Sequence, residues 1–498
     1  MLLISTRGHS RKITALDSVL QGMADDGGLF VPERFPVLDL TTIVEWGRLS
    51  YQECAARVLN LFFDIDVEEL EEMANDAYSS FDDPEVVPIQ KISDGEYIIE
   101  LFHGPTLAFK DIALQMLPKL MAKALESSDK DALILTATSG DTGKAALEGF
   151  KDKDRTRIAV FYPNDGVSDM QRLQMVTQEG DNVYVSAIRG NFDDAQTTVK
   201  NLFADTDFVS LANKKGLRPT SANSINFGRL APQIAYYIYA YGRLAAAKEI
   251  NPGQKVNIVV PTGNFGNILA AYYARRMGLP VYRFICASNK NNVLSDFFES
   301  GVYTIRRQFY KTISPSMDIL ISSNLERLIF EICGRDPKAV QLYMEDLKDQ
   351  DNYRIRESDK LELDGLFFGD FADEYPTKTT IKRTFEDEGY LLDSHTAVGR
   401  NVYLKYKRLM QDDTPTIITA TASPYKFPQA VLESIAREEC KDAFDAAEKL
   451  QALTHIEIPA QISALKDAKI RFDEVLDKDQ MGIKVLENLG KTKRKKKK

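Results

Sequence analysis

Histidine and cysteine are scarce in this chain of 498 residues. The four histidines, His9, His103, His395 and His455, show no HExxH or other close spacing, so no histidine-based metal centre is expected. The four cysteines, Cys54, Cys286, Cys333 and Cys440, stand far apart with no CxxC pair. That pattern excludes a disulfide framework and a thiolate zinc site, and it fits a reducing compartment. No apolar run is long enough to span a membrane, and no basic-then-apolar signal opens the chain. Internal repeats are absent, and low-complexity sequence is confined to the end. The chain reads as a cytoplasmic protein without a membrane partner.

Positive charge is outnumbered by negative, 63 residues to 73, except in one place. The net charge is −10, yet residues 491–498 (KTKRKKKK) carry seven positive charges, which leaves −17 for the body. An acidic body argues against nucleic acid as the main partner. The tail itself has the composition of a disordered, solvated segment.

What the sequence has in abundance is one recurring pattern. A β-branched apolar run leads into a Gly/Ser/Thr/Asn loop and then a helix-period segment. It occurs at 132–150, 157–176, 182–203, 255–278, 281–298 and 416–435. Short apolar strands alternating with helices predict parallel sheets covered on both faces. Ligands then belong at the carboxyl ends of the strands, in the loops. Residues 1–85 differ, with turn signals (DDGGLFVPERFP, 25–36) and an acidic helical stretch (67–78), and read as a separate N-terminal domain. Residues 300–390, charged and aromatic with helical periodicity, read as a mostly helical insertion with few strand signals.

Five segments carry chemistry. In FHGPTLAFKD (102–111), Lys110 follows a run of uncharged side chains. Held in an apolar pocket, such a lysine loses hydration and its pKa falls, and a neutral amine condenses with an aldehyde cofactor. The plain alternative is a helix-start lysine beside Asp111, paired with a nearby carboxylate. PTGNFGN (261–267) lies between a strand and a helix. The N–H groups of Gly263, Asn264, Phe265, Gly266 and Asn267 suit a phosphate there, or make only a tight turn. TSGDTG (138–143) offers Thr138, Ser139, Gly140, Asp141 and Thr142 at another strand end, suited to a carboxylate or phosphate. It is not a nucleotide P-loop, because Thr138 stands where glycine is required and Ala145 follows Lys144. In TATASPYKF (419–427), Thr421 can face the cleft or cap the next helix. In SANSINFGRLAPQ (221–233), Asn226 and Arg229 precede a tyrosine-rich helix, and Arg229 can grip a phosphate or form an interdomain ion pair.

Together with STRG (5–8) and VLQGMADDGGLFVP (19–32), these segments resemble the threonine synthases, fold-type II enzymes that use pyridoxal phosphate. The likeness is to the longer, monomer-type branch, which implies a monomer. It implies an α/β fold with two doubly wound sheets, an N-terminal domain (1–85) and a large cofactor-binding domain (86–110 and 225–490, with the insertion at 300–390). A small substrate-binding domain (111–224) and the tail (491–498) complete it. It implies pyridoxal 5′-phosphate as cofactor and O-phospho-L-homoserine as substrate. Lys110 would hold the cofactor covalently and act as the base. Residues 263–267 would take the cofactor phosphate, and Thr421 the pyridine nitrogen. Thr138, Ser139, Gly140, Asp141, Thr142, Asn226 and Arg229 would bind substrate. Ser423 stands where many relatives have histidine, so no acid–base role is expected there. A threonine dehydratase or amino-acid phospho-lyase on the same fold is the alternative, and a non-catalytic phosphate or nucleotide sensor the more distant one.

Overall fold

The apolar runs become strands of two sheets, each flanked by the helices that follow them. A computed structural model describes residues 1–490 apart from Ser10, Ser139, Gly166, Arg437 and the side chain of Asp193. The tail at 491–498, expected to be disordered, lies outside the described residues. In the larger sheet the order is Phe367–Phe371, Val281–Ser288, Val256–Pro261, Thr416–Ala420, Glu96–Glu100, Ile89–Ser93. All neighbours run parallel except the last pair. The smaller sheet orders Val475–Leu476, Val183–Ile188, Thr156–Pro163, Asp131–Ala137, Leu217–Thr220, all parallel. Its three longest strands are buried along nearly their whole length, as parallel strands covered on both faces must be.

The N-terminal segment builds a small antiparallel sheet from Leu2–Ser5, Ile13–Thr14 and Phe30–Pro32. Three helices follow, Leu40–Trp46, Tyr51–Asn60 and Val67–Tyr78, and the first two pack on the long helix Phe227–Ala246. The contact is backbone to backbone. A Cβ on Gly47 would overlap Gly242, and one on Gly242 would overlap the carbonyl oxygen of Ile43. That long helix is the molecule's central post. Tyr236, Tyr237, Tyr239 and Tyr241 are all buried, so its tyrosines face protein on every side.

Two expectations need correcting. The segment 225–490 does not stay with the larger sheet to its end. Val475–Leu476 pairs in parallel with Val183–Ile188, and the helix Met481–Leu489 buries Met481, Val485 and Leu489 in the core of the smaller sheet. The apolar spacing of that helix needs a partner, and the open sheet edge supplies one. The insertion is also less purely helical than its sequence suggests. Phe367–Phe371 is the edge strand of the larger sheet, beside Val281–Ser288. Its Gly-Asp centre hides the strand signal, while stacking of Phe367 on Phe298 and Phe284 fixes it in place. Among the described residues, no helix is long and apolar enough to cross a membrane.

Candidate active site

The carboxyl ends of Asp131–Ala137, Val256–Pro261 and Thr416–Ala420 converge on one cleft of about 1190 Å³. The loop after Glu96–Glu100 brings Lys110 to it, as the first residue of the helix Lys110–Leu125. Its Nζ lies 3.3 Å from Asp141 Oδ2 and 3.4 Å from Ser316 Oγ. Asp111, the partner suggested by adjacency, is engaged elsewhere. It accepts from the Thr106 N–H and hydroxyl at 2.8 and 2.7 Å, and burial raises its pKa to about 6. Burial lowers the pKa of Lys110, the nearby Lys426 and Arg229 lower it further, and Asp141 offsets part of the effect.

Asp141 is the hub. Lys426 donates to its Oδ1 at 2.8 Å, Gln171 Nε2 to the same oxygen at 2.9 Å, and Ser316 Oγ to Oδ2 at 2.8 Å. Burial alone would raise its pKa, but Lys426 and Lys110 hold it well below the usual carboxylate range. Lys426 is fully buried and also donates to the Thr106 carbonyl at 2.7 Å. Gly140 permits this crowding, because a Cβ there would overlap the Gln171 side chain and its φ is 138°. Thr138 Oγ1 accepts from the N–H groups of Gly140 and Gly143, both at 2.9 Å, and so folds the loop. Ser139 lies outside the described residues.

The loop at 263–267 opens the helix Gly266–Arg276, whose first N–H groups have no partner within the helix. Phe265 takes a left-handed backbone with φ 63°, and its ring is buried against Phe298 and Phe367. It therefore serves through its backbone. Gly263 is needed because a Cβ would sit 2.7 Å from the Ser316 carbonyl oxygen. Asn264 gives its carbonyl to Asn324 Nδ2 at 3.0 Å. Asn267 accepts from Tyr236 at 2.7 Å and from Tyr237. Its Nδ2 is buried with no partner among the described residues, as is Asn223 Oδ1. Both residues line the cleft.

Arg229 is buried and, among the described residues, donates only to neutral oxygens, Ala222 O at 3.0 Å and Thr142 Oγ1 at 3.4 Å. Burial pulls its pKa down to about 10. No interdomain ion pair forms on it among the described residues. Asn226, expected beside it at the substrate, is not brought to the cleft. Its Nδ2 donates to Val19 O and Ser221 O, both at 2.9 Å, and its Oδ1 caps the long helix through the Gly228 N–H. An asparagine with every polar atom spent is a helix cap. Thr421 lines the cleft, its N–H on Thr396 Oγ1 and its carbonyl on the Phe109 N–H. Ser423 caps the short turn Pro424–Lys426 through the Tyr425 N–H.

Sequence reasoning missed Lys426, Gln171, Ser316 and His395. Lys426 lay in a quoted motif, but only the fold shows that its stem crosses to Asp141. Gln171, Ser316 and His395 come from segments with no glycine-rich signal. Gln171 also closes a capping box with Ser168.

Models of known families cover most of the chain. The threonine synthase N terminus matches residues 3–78, the pyridoxal-phosphate-dependent enzymes 91–348, and the threonine synthase C-terminal region 396–486. The chain belongs to the threonine synthase family. Within that family it is 40% identical to threonine synthase of Pseudomonas aeruginosa over 433 residues, covering 86% of this chain and 90% of that one. It is equally 40% identical to human threonine synthase-like 1, covering 86% of this chain but 58% of that longer one. The crystal structure of pyridoxal-phosphate-bound threonine synthase from Brucella melitensis aligns at a TM-score of 0.86 and 38% identity, over 98% of this chain and 99% of that one. The fold is accordingly that of a fold-type II pyridoxal-phosphate enzyme, and the cofactor is pyridoxal phosphate.

Proposed function

We propose that the cleft converts O-phospho-L-homoserine and water to L-threonine and inorganic phosphate, with Lys110 as both cofactor anchor and mobile base. One observation carries the assignment of residues. At the heart of an acidic protein, two buried cations, Lys110 and Lys426, pair with one carboxylate, Asp141, and a third buried cation, Arg229, stands near enough to depress the Lys110 pKa. That local excess of positive charge favours a multiply anionic ligand.

The residues fit pyridoxal phosphate on physical grounds. A phosphate would be held by the N–H groups of 263–267 at the helix start, with the unpartnered Asn267 Nδ2 beside them. Lys110 would hold the aldehyde carbon, and Thr421 the ring nitrogen. When bound, the cofactor supplies a covalent handle for the substrate amine and a sink for the electron pair left at Cα. The chain does the rest. Lys110, its pKa lowered by burial and neighbouring cations, takes the proton from the substrate Cα and returns protons along the chain as phosphate departs from Cγ and water enters at Cβ. Asp141 stays ionised and steadies the Lys110 ammonium that forms once the freed amine has taken a proton. Arg229 and Thr142 receive the substrate's anionic groups. Three of the four cysteines are buried free thiols, which suits the reducing, cytoplasmic setting inferred from their spacing.

The test is to supply O-phospho-L-homoserine and assay threonine and phosphate together. Equal amounts of both are expected, whereas 2-oxobutyrate and ammonia would mark a dehydratase. Lys110→Ala should lose the cofactor peptide trapped by borohydride. Arg229→Ala should raise KM about 10- to 100-fold, the loss of a charge-assisted contact, while cofactor retention changes little. Equal loss of both would remove Arg229 from the substrate site.

A further inference from the structure

We infer that Ser316 is a positioning residue for the Lys110 amine, and that His395 holds Ser316 in place. The inference rests on the role of Lys110 proposed above. Ser316 sits in the short turn Pro315–Met317, within the insertion. Its hydroxyl has one proton, and that proton is given to Asp141 Oδ2 at 2.8 Å. The oxygen is left with lone pairs only, 3.4 Å from Lys110 Nζ. It can accept from the ammonium and cannot donate to it. Asp141 Oδ2 and Ser316 Oγ, themselves 2.8 Å apart, thus hold Lys110 Nζ together from one side.

The turn is fixed from behind. The Ser316 N–H donates to His395 Nε2 at 3.1 Å, so that nitrogen carries no proton. The proton belongs on Nδ1, which faces Asp393 Oδ1 at 2.9 Å. Asp393 is in turn fixed as the cap of the helix Ser394–Met410. Ser394 Oγ donates to Ile313 O at 2.6 Å, and Asp318 gathers Thr312, Asn289 and Asn291 at 2.7 to 3.0 Å. On its other side the Ser316 carbonyl presses on Gly263 of the anion loop. One turn therefore touches both the reacting amine and the loop assigned to the cofactor phosphate.

The hydroxyl orients the amine; it does not relay a proton. Asp141 lies well below the carboxylate range, so it is a poor proton acceptor. The charged groups facing Lys110 are Asp141, Lys426 and Arg229, and Asp111 turns away to Thr106. An oxygen that accepts from the ammonium favours the charged form. Removing it should lower the amine's pKa and let Nζ wander.

The full-length protein, freed of cofactor with hydroxylamine, is treated with pyridoxal and borohydride between pH 6 and 10, and the labelled residue is located by mass spectrometry. In Ser316→Ala the midpoint of Lys110 labelling should move about 1 to 2 units to lower pH, the effect of losing one hydrogen bond to a charged group. In the loaded enzyme kcat should fall about 10- to 100-fold with KM within about twofold, as expected for lost orientation. Ser316→Thr should restore both. His395→Gln, whose amide oxygen accepts the same N–H, should stay near wild type, and His395→Leu should copy Ser316→Ala. An unchanged labelling midpoint in Ser316→Ala and His395→Leu, with Lys110 still the labelled residue, overturns this inference alone. Label on a different lysine in the wild type overturns the assignment of Lys110 and this inference with it.

Discussion

Replacing Lys426 with methionine removes one charge from the centre of the site and keeps most of the stem's volume. The ammonium is fully buried, 2.8 Å from Asp141 and 2.7 Å from the Thr106 carbonyl. Breaking a buried ion pair from one side costs about 3–5 kcal/mol, because the surviving charge stays buried. Here Asp141 keeps Lys110, Gln171 and Ser316, so the lower end, about 3 kcal/mol, is expected. The electrostatics have a definite sign. Lys426 pushes the Lys110 amine toward its neutral form, so Lys426→Met should raise the Lys110 pKa. Each unit of rise cuts the neutral fraction near neutral pH about tenfold. Two assays read this: urea unfolding of the holoenzyme, and the pH dependence of pyridoxal labelling at Lys110. Asp141→Asn combined with Lys426→Met should cost less than the sum of the two single changes by about 2 kcal/mol, since neither charge is then stranded. Additive losses together with an unmoved labelling profile would refute the view that Lys426 acts through Asp141 and Lys110.

Other perturbations probe the scaffold. His103 bridges Asp82 at 2.7 Å and Glu100 at 3.0 Å. Burial works against its charge, but the two carboxylates raise its pKa from 6.5 to about 9. Its contribution, about 2 kcal/mol after allowance for screening by solvent, is complete below pH 6.5 and lost as pH rises through about 9. Urea midpoints of wild type should therefore fall relative to His103→Gln across that window, and parallel curves would discount the bridge. Gly242→Ala should prise the helix Leu40–Trp46 off the central helix and destabilise the protein by at least about 2 kcal/mol, since a backbone and not a side chain must yield. Limited proteolysis near residues 40–60 should accelerate; unchanged cutting and melting would show that the contact gives way cheaply.

The architecture was legible wherever period and loop chemistry agreed. The strands at 131–137, 156–163, 183–188, 256–261, 281–288 and 416–420 each announce themselves by β-branched runs that end in a polar loop. Phe367–Phe371 did not, because a strand of aromatics around Gly-Asp has neither the alternation nor the branching that signals a sheet. The candidate site was legible as loops and less so as side-chain roles. Asn226 and Arg229 sit three residues apart in one motif, yet one is spent capping a helix while the other reaches the cleft. Sequence spacing does not say which way a capping residue turns. Ser316 and His395 are invisible for a different reason. Their proximity depends on the insertion folding back over the larger sheet, a contact across 79 residues.

The chain visits the smaller sheet twice. It lays down Asp131–Ala137 to Leu217–Thr220, builds most of the larger sheet, and only then returns with Val475–Leu476 to finish the first. During synthesis the smaller sheet therefore waits with Val183–Ile188 as a bare, apolar edge. A waiting edge of that kind is open to pairing with another nascent chain. The order of synthesis thus makes the returning strand the last piece of that sheet, and Ala187 and Ile188 have no neighbour on that side until it arrives.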